Sequence, residues 1–266
     1  MDTVFLAYLL TGALTGFIAG LLGVGGGIVI VPMLVLCFSL QPQIPHELIM
    51  HLALGTSLAT IVFTSMSSAW SHHRRGAVRW SIVFLISVGI IPGTFFGSCF
   101  VARMSTNFLR GLFVIFLFYV GIQMLLNKKP TPSRDLPGWG GMFGVGGVIG
   151  VFSSMVGIGG GTLSIPFMIW CNVPMHQAIG TSAAIGFFIA CAGAGGYIVN
   201  GLHSADLPQY AVGYVYLPAL LGIIVTSILT APLGAWLAHR WPVPRLKIAF
   251  ACLLFIIGII MAYRLF

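Results

Sequence analysis

Charged residues are scarce in this sequence, and acidic residues are the scarcest. Lysine, arginine, aspartate and glutamate make up 6% of its 266 residues, only four of them acidic, whereas hydrophobic residues make up 58%. The mean hydropathy is +1.06. Because a soluble globular domain contains about 25% charged residues, this composition excludes that class. It predicts an integral membrane protein that crosses the lipid bilayer several times.

Motifs for catalysis and for metal or nucleotide binding are also missing. The five cysteines show no C-x-x-C spacing, so neither a disulfide framework nor a zinc site is indicated. The apolar segments contain no carboxylate, metal-ligand cluster or nucleophile motif, and no G-K-[ST] follows a glycine-rich stretch. We therefore expect no enzyme, no cofactor, no metal and no nucleotide-driven pump. The net charge of +8 does not indicate nucleic acid, because the basic residues lie at helix ends and in short loops, where they orient membrane proteins.

Long apolar stretches fill almost the whole chain. A bilayer core about 30 Å thick requires about 20 apolar residues per helix. Eight stretches are predicted spans, near residues 3–22, 51–70, 80–102, 106–126, 139–156, 177–199, 211–238 and 246–265. Two shorter pieces, 28–40 and 162–171, are too short to span alone at about 1.5 Å per residue. The first stretch differs from a secretory signal because its only early charge is Asp2, so we expect it to remain in the mature protein.

The sequence consists of two related halves. GVGGGIVIVP (23–32) recurs as GIGGGTLSIP (157–166), and HLALGTS (51–57) recurs as HQAIGTS (176–182), in the same order. The most polar and proline-rich run of the chain lies between the halves. This pattern predicts an N-terminal repeat over 1–127, a linker over 128–138 and a C-terminal repeat over 139–266. Duplication on this scale is typical of transporters.

The distribution of lysine and arginine favours inverted halves. With eight simple spans, the basic residues divide almost evenly between the two sides. If each glycine motif is instead the turn of a hairpin that enters the membrane and returns, each half adds three full crossings, and the odd number inverts the second half. Nine of the 12 basic residues then lie in the cytoplasmic loops 72–79, 127–138 and 239–247, as the positive-inside rule requires. The sequence thus predicts an all-α polytopic membrane protein with inverted repeats, each a glycine-turn helical hairpin plus three spanning helices, with both termini outside.

The glycine-rich turns are the first candidate binding elements. Broken backbone inside a bilayer is tolerated only where protein or a water-filled cavity satisfies its amides. Glycines leave successive N–H groups unscreened, so that these groups can converge on one anion, and the helix that follows adds the positive end of its dipole. The alternative is that the glycines only allow close helix packing. The predicted anion-binding glycines are Gly23, Gly25, Gly26, Gly27, Gly157, Gly159, Gly160 and Gly161.

The H-x-x-x-G-T-S motifs add candidate side chains. Thr56, Ser57, Thr181 and Ser182 are predicted to donate hydrogen bonds to an oxyanion, with bonding to a helix carbonyl as the alternative. His51 and His176 are candidate proton-linked ligands, with interface or capping roles as the alternative. Cys37 and Cys171 also occupy matching positions in the two halves, either in a sulfur-handling site or in packing.

At these motifs the chain resembles the sulfite exporter TauE/SafE family of membrane transporters. The resemblance rests on the paired G-[VI]-G-G-G-x4-P and G-T-S motifs and covers about residues 5–264. It implies transport of sulfur-containing anions, such as sulfite, sulfoacetate and related organosulfur acids, with the substrate site between the two glycine turns. One departure is that RRGAVRW (74–80) corresponds to the uncharged VNGLHSA (199–205) in the other half, so we do not expect a symmetric transport cycle.

The leading functional hypothesis is a secondary transporter that exports a small sulfur-containing anion across a bacterial inner membrane by alternating access around a midplane site. The alternative is an anion channel with the same glycine-lined site. The potential favours export, because each negative charge that leaves the cell gains about 2.3 kcal/mol per 100 mV. The histidines of the two motifs are the candidate carriers of any coupled protons.

Overall fold

The computed structural model describes residues 2–23, 25–126, 134–204, 206–238, 240 and 243–263. Within these residues the chain forms ten α-helices, a short 3₁₀ helix at His46–Leu48 and one two-stranded antiparallel hairpin. The helices are α1 (Asp2–Leu22), α2 (Gly27–Ser39), α3 (Ile49–His73), α4 (Trp80–Val101), α5 (Thr106–Leu126), α6 (Trp139–Val156), α7 (Gly161–Trp170), α8 (Met175–Gly201), α9 (Leu217–Ala238) and α10 (Val243–Tyr263). The strands are β1 (Ala211–Val212) and β2 (Val215–Tyr216).

The prediction of an all-α, multi-pass membrane protein is confirmed. Seven of the described helices are long and apolar enough to cross a membrane, namely α1, α3, α4, α5, α6, α8 and α9. The eighth predicted span, 246–265, is not among them: within the described residues its apolar helix covers Phe250–Tyr263, which is shorter than a span. The two pieces predicted to be too short, α2 and α7, have 13 and 10 residues. The first arm of each glycine hairpin, α1 or α6, is itself one of the seven helices.

One apolar stretch, 211–238, is only partly helical. Its first six residues form the β1–β2 hairpin, and helix α9 begins at Leu217. The turn of the hairpin includes Gly213, at φ 56°, which lies so close to α8 that a β-carbon there would be 2.3 Å from the carbonyl oxygen of Ile198. The hairpin packs against α8 and α3, which accounts for apolar residues in a segment that is not a helix.

Both halves contain the same order of elements. A long helix, a glycine turn, a short helix and three further long helices form α1–α5 before the linker and α6–α10 after it. Residues 127–133, with two of the predicted cytoplasmic lysines, and Arg264 lie outside the described residues. The inverted orientation and the repeat boundaries remain predictions.

Helices of one half pack against helices of the other half. Helix α1 packs along α9, and α6 packs along α4, while α3 and α8 contact each other in the middle of the molecule. Glycines at four-residue spacing allow the first of these contacts. A β-carbon on Gly12, Gly16 or Gly20 of α1 would lie within 2.4 Å of a carbonyl oxygen of α9. Small residues let membrane helices approach this closely, so each half depends on a helix of the other.

Burial separates central helices from peripheral ones. Of the α3 span, 83% is buried, against 39% of the α5 span and 33% of the α9 span. In α2 the four consecutive residues 28–31 are all buried, so every face of the helix at that level is covered. A helix that is apolar and buried all round lies inside the protein rather than against lipid. Helix α2, which follows the first glycine turn, therefore belongs to the core.

We predict that the basic loops 72–79, 127–138 and 239–247 lie together on the cytoplasmic side. Single cysteines placed at Arg75, Lys129 and Arg240, in a chain whose native cysteines are replaced by alanine, should react with an impermeant maleimide only after the cytoplasmic face is opened. A cysteine at Leu40, which follows α2, is the comparison. Because the hairpin returns to the outer side, this cysteine should react without opening of the cytoplasmic face. Labelling of positions 75 and 129 from opposite faces would contradict the inverted-hairpin topology.

Candidate functional site

The two glycine turns meet in the middle of the molecule. A β-carbon on Gly25 would lie 3.0 Å from the Cα atom of Gly159 and 3.3 Å from its nitrogen. A β-carbon on Gly27 would lie 2.3 Å from the carbonyl oxygen of Gly157. The two turns therefore pack backbone against backbone, at a distance that no larger residue allows.

Several of these glycines adopt a conformation that other residues avoid. Left-handed φ angles occur at Gly23 (68°), Gly25 (79°), Gly26 (79°), Gly157 (69°) and Gly160 (76°). An L-residue in this region is strained by about 1–2 kcal/mol. Gly26 and Gly160 are the residues that immediately precede α2 and α7. The turn conformation thus places the start of each short helix at the contact between the halves.

The N-terminus of each short helix concentrates polar backbone groups at this point. The carbonyl of Gly26 accepts hydrogen bonds from the N–H groups of Val29 and Ile30, and the carbonyl of Gly160 accepts from Leu163 and Ser164. The N–H groups that precede these donors have no partner within the helix. Both helices therefore direct amides that have no partner within the helix, and the positive ends of their dipoles, toward the glycine turns.

The serines of the two G-T-S motifs cross-link the halves. Ser57 donates a hydrogen bond of 2.8 Å to the carbonyl of Gly157, and Ser182 donates one of 3.0 Å to the carbonyl of Gly23. Both hydroxyls are fully buried. Each serine thus holds the glycine turn of the opposite half. Donation from these hydroxyls to an anion remains a prediction.

The threonines of the same motifs make a second crosswise pair. The hydroxyl oxygen of Thr56 accepts the N–H of Tyr216 at 2.9 Å, and that of Thr181 accepts the N–H of Arg79 at 3.0 Å. Tyr216 directly precedes α9, and Arg79 directly precedes α4. Each threonine therefore anchors the start of the third long helix of the other half, α9 or α4.

The two motif histidines lie in different surroundings. His51 is buried, with Nε2 3.2 Å from the carbonyl oxygen of Val101 at the end of α4, and its ring centroid is 5.2 Å from that of Tyr214. His176 is exposed. The structure thus separates the pair and brings neither ring to the glycine turns. A role for either in proton coupling stays a prediction.

The paired cysteines lie at the far ends of the short helices. Cys37 is in the last turn of α2 and Cys171 directly follows α7, and both are buried and free. At about 1.5 Å per residue, each lies roughly 15 Å along the helix from its glycine turn. Among the described residues, no group of three or more histidine, cysteine or acidic side chains is arranged to hold a metal ion.

Sequence reasoning missed two buried hydroxyls beside the second glycine turn. Ser153 of α6 is fully buried, and its Oγ lies 3.4 Å from the position that a β-carbon on Gly160 would take. Thr162, the second residue of α7, is 7% exposed. Neither hydroxyl has a hydrogen-bond partner. A residue-by-residue comparison of the two halves is the signal that could have found them.

A cavity of about 760 Å³ opens between α3, α4, α8 and α9. Its wall is largely aromatic, and His73 and Trp80, which flank the basic loop 74–79, are among the lining residues. Helix α8 also contributes Ala184 to the wall. Two residues further on, Gly186 lies against the second glycine turn, where a β-carbon would be 3.0 Å from the carbonyl oxygen of Gly159. One helix therefore contacts both the cavity and the turn.

The known proteins that this chain resembles are described as membrane transporters. The model of the family described as "Sulfite exporter TauE/SafE" matches residues 8–261. A probable membrane transporter protein of Haemophilus influenzae is 39% identical over 97% of the chain and 98% of its own length. Probable membrane transporter proteins of Bacillus subtilis and Methanocaldococcus jannaschii are 30% and 27% identical, over 89% and 95% of the chain and 91% and 93% of their own lengths. No solved structure matches the chain.

We predict that Ser57→Ala destabilises the protein more than a surface serine substitution does. The change leaves the buried carbonyl of Gly157 without its donor, which costs about 1–3 kcal/mol and should lower the melting temperature in detergent by about 2–10 °C. Ser81→Ala, on an exposed position of α4, is the matched control and should melt like the parent. A Ser57→Ala variant that also melts like the parent would show that this bond does not hold the turn.

Proposed function

The chain belongs to the sulfite exporter TauE/SafE family, and on that premise we propose that this membrane transporter exports small sulfur-containing anions, such as sulfite, sulfoacetate or related organosulfur acids. It acts as a secondary transporter, and its substrate site lies where the two glycine turns meet. The observation that carries the proposal is the contact between Gly25 and Gly159, because it brings the N-termini of two short helices to one buried point.

The chemistry of this point suits an oxyanion. A sulfite or sulfonate group spreads its charge over three oxygens, and each can accept hydrogen bonds from backbone amides. Successive glycine amides and a helix N-terminus are known anion-binding elements. They supply partial positive charge without a lysine or arginine that would have to be desolvated in the bilayer, which is costly.

The contacts between the two halves support a mechanism of alternating access. The carbonyls of Gly157 and Gly23 are each held by a serine of the opposite half. Movement of one half relative to the other therefore moves a glycine turn relative to the helix that supports it. Opening and closing of the site on each side in turn is the expected mechanism for a duplicated transporter.

The aromatic cavity provides a route from one side. It lies beside the exposed residues Arg74, Arg75 and Arg79 of the loop that we predict to be cytoplasmic. A cluster of positive charge at an entrance raises the local concentration of anions. The cavity and the loop together support entry of the substrate from the cytoplasm.

The direction of transport follows from the membrane potential. Each negative charge that leaves a cell with a negative interior gains about 2.3 kcal/mol per 100 mV, so a divalent anion gains about 4.6 kcal/mol without a coupled ion. Uptake would require coupled cations, for which the chain offers few carriers. Glu47 and Asp206 lie outside the long helices. His51 and His176 remain the candidate proton carriers.

We expect proteoliposomes that contain this protein to release sulfite or sulfoacetate faster than protein-free vesicles when the potential is negative inside. A plain dicarboxylate should leave more slowly, because it lacks the three-oxygen group. Efflux no faster than from protein-free vesicles, or equal efflux of every carboxylate, would overturn the proposal. Unitary conductance steps in a planar bilayer would instead identify an anion channel.

We also expect Gly26→Val and Gly160→Val to abolish anion binding while both variants still insert into the membrane. A β-carbon on Gly26 would lie 2.9 Å from the carbonyl oxygen of Thr15, and one on Gly160 would lie 2.3 Å from Cδ1 of Ile189. Gly76→Val is the matched control, because Gly76 has a similar φ of 67° but nothing within 4 Å of its β-carbon position. Tryptophan fluorescence titration with sulfite measures binding. Parent-like binding by either site variant would assign that glycine to helix packing.

A further inference from the structure

At three positions beside the second glycine turn, hydroxyl residues replace apolar residues of the first half. The two motifs align when the sequence is shifted by 134 residues. Under this alignment, Ser153, Thr162 and Ser164 of the second half correspond to Ala19, Ile28 and Ile30 of the first. All six residues are buried. Two turns with nearly the same backbone therefore have different side-chain surroundings.

Two of the three hydroxyls have no partner. A buried serine or threonine in a helix commonly bonds to a carbonyl in the preceding turn, as Thr15 does to Thr11 at 2.7 Å and Thr60 does to Thr56 at 2.8 Å. Ser153 and Thr162 make no such bond. Since native proteins leave few buried polar groups unpaired, each unpaired hydroxyl calls for an explanation.

The third hydroxyl connects the two turns. Ser164 donates a hydrogen bond of 2.9 Å to the hydroxyl of Ser182, which donates to the carbonyl of Gly23. This chain of bonds fixes α7 against the first glycine turn. It leaves Ser153 and Thr162 as the hydroxyls available to a ligand at the second turn.

We propose that the transported anion is ligated at the second glycine turn, by the hydroxyls of Ser153 and Thr162 together with the amide groups at the start of α7. This inference rests on the proposed function and adds that the two halves are unequal: the first turn packs against the site, and the second turn binds the ligand. Ala19 and Ile28 present only apolar surface beside the first turn.

The proposed hydrogen-bond donors also favour a sulfite or sulfonate group over a carboxylate. The proposed donors are two hydroxyls on different helices and the amides of one helix N-terminus, three separate groups. The three oxygens of a sulfite or sulfonate group diverge from the sulfur atom and can accept from all three groups at once. The oxygens of a carboxylate lie in one plane and accept best within that plane, so a carboxylate matches donors outside that plane less well. Unpaired site groups penalise an analogue strongly, so we expect preference for the sulfur oxyanion.

Thr162→Val tests this assignment, because valine has the shape of threonine without the hydroxyl. The variant should bind sulfite and sulfoacetate at least about tenfold more weakly than the parent, as expected for a lost hydrogen bond to a charged ligand. Ser153→Ala should have a similar effect, and Thr162→Ser should bind like the parent. Without ligand, Thr162→Val should melt no lower than the parent, because it removes a hydroxyl that has no partner.

Thr11→Val is the matched control. Thr11 is buried in α1, and its hydroxyl is bonded to the carbonyl of Ala7 at 2.7 Å, far along the helix from the glycine turn. This variant should bind anions like the parent. If the parent binds anions but Thr162→Val and Ser153→Ala bind as tightly, the unequal site is overturned and the proposed function stands. If the parent binds neither sulfite nor sulfoacetate, the proposed function fails and the unequal site fails with it.

Discussion

The backbone contact between the two glycine turns is the constraint on which the rest of the structure depends. Inside a bilayer, every polar backbone group must find its partner within the protein or in a water-filled cavity. The carbonyls of Gly23 and Gly157 meet this requirement through Ser182 and Ser57. Gly25 and Gly159 can lie this close together only because neither has a side chain. Helices α2 and α7 begin directly after the two turns. Helix α3 packs against α2, α8 packs against α7, and α3 and α8 contact each other.

The duplication produces one interdigitated molecule rather than two adjacent domains. The first helix of each half packs on the third long helix of the other, α1 on α9 and α6 on α4. The hydroxyl of Ser57 reaches the turn of the second half, and that of Ser182 reaches the turn of the first. A motif that looks local in the sequence therefore acts on the opposite half. This arrangement links the relative position of the halves to the geometry of the two glycine turns.

The two halves share the same order of helices, but the side chains beside their glycine turns differ. The second turn has unpaired hydroxyls at Ser153 and Thr162 where the first has apolar side chains. The aromatic cavity opens beside the arginine-rich loop, and the corresponding loop of the other half lacks that charge. Backbone repetition supplies two similar helix N-termini, and the side chains around them differ.

The sequence by itself determined the membrane class, the long helices, the two short helices and the glycine turns, because these follow from the length of apolar runs and from the backbone freedom of glycine. It did not determine the β1–β2 hairpin, the burial of His51 against the exposure of His176, or the bonds of Thr56 and Ser57 to Tyr216 and Gly157. Those features join residues 100 or more positions apart, or depend on which apolar surface meets protein. Since lipid and protein core are equally apolar, hydropathy cannot distinguish them, and only the packed tertiary structure decided which hydroxyls, such as those of Ser57 and Ser182, were bonded and which, such as those of Ser153 and Thr162, were not.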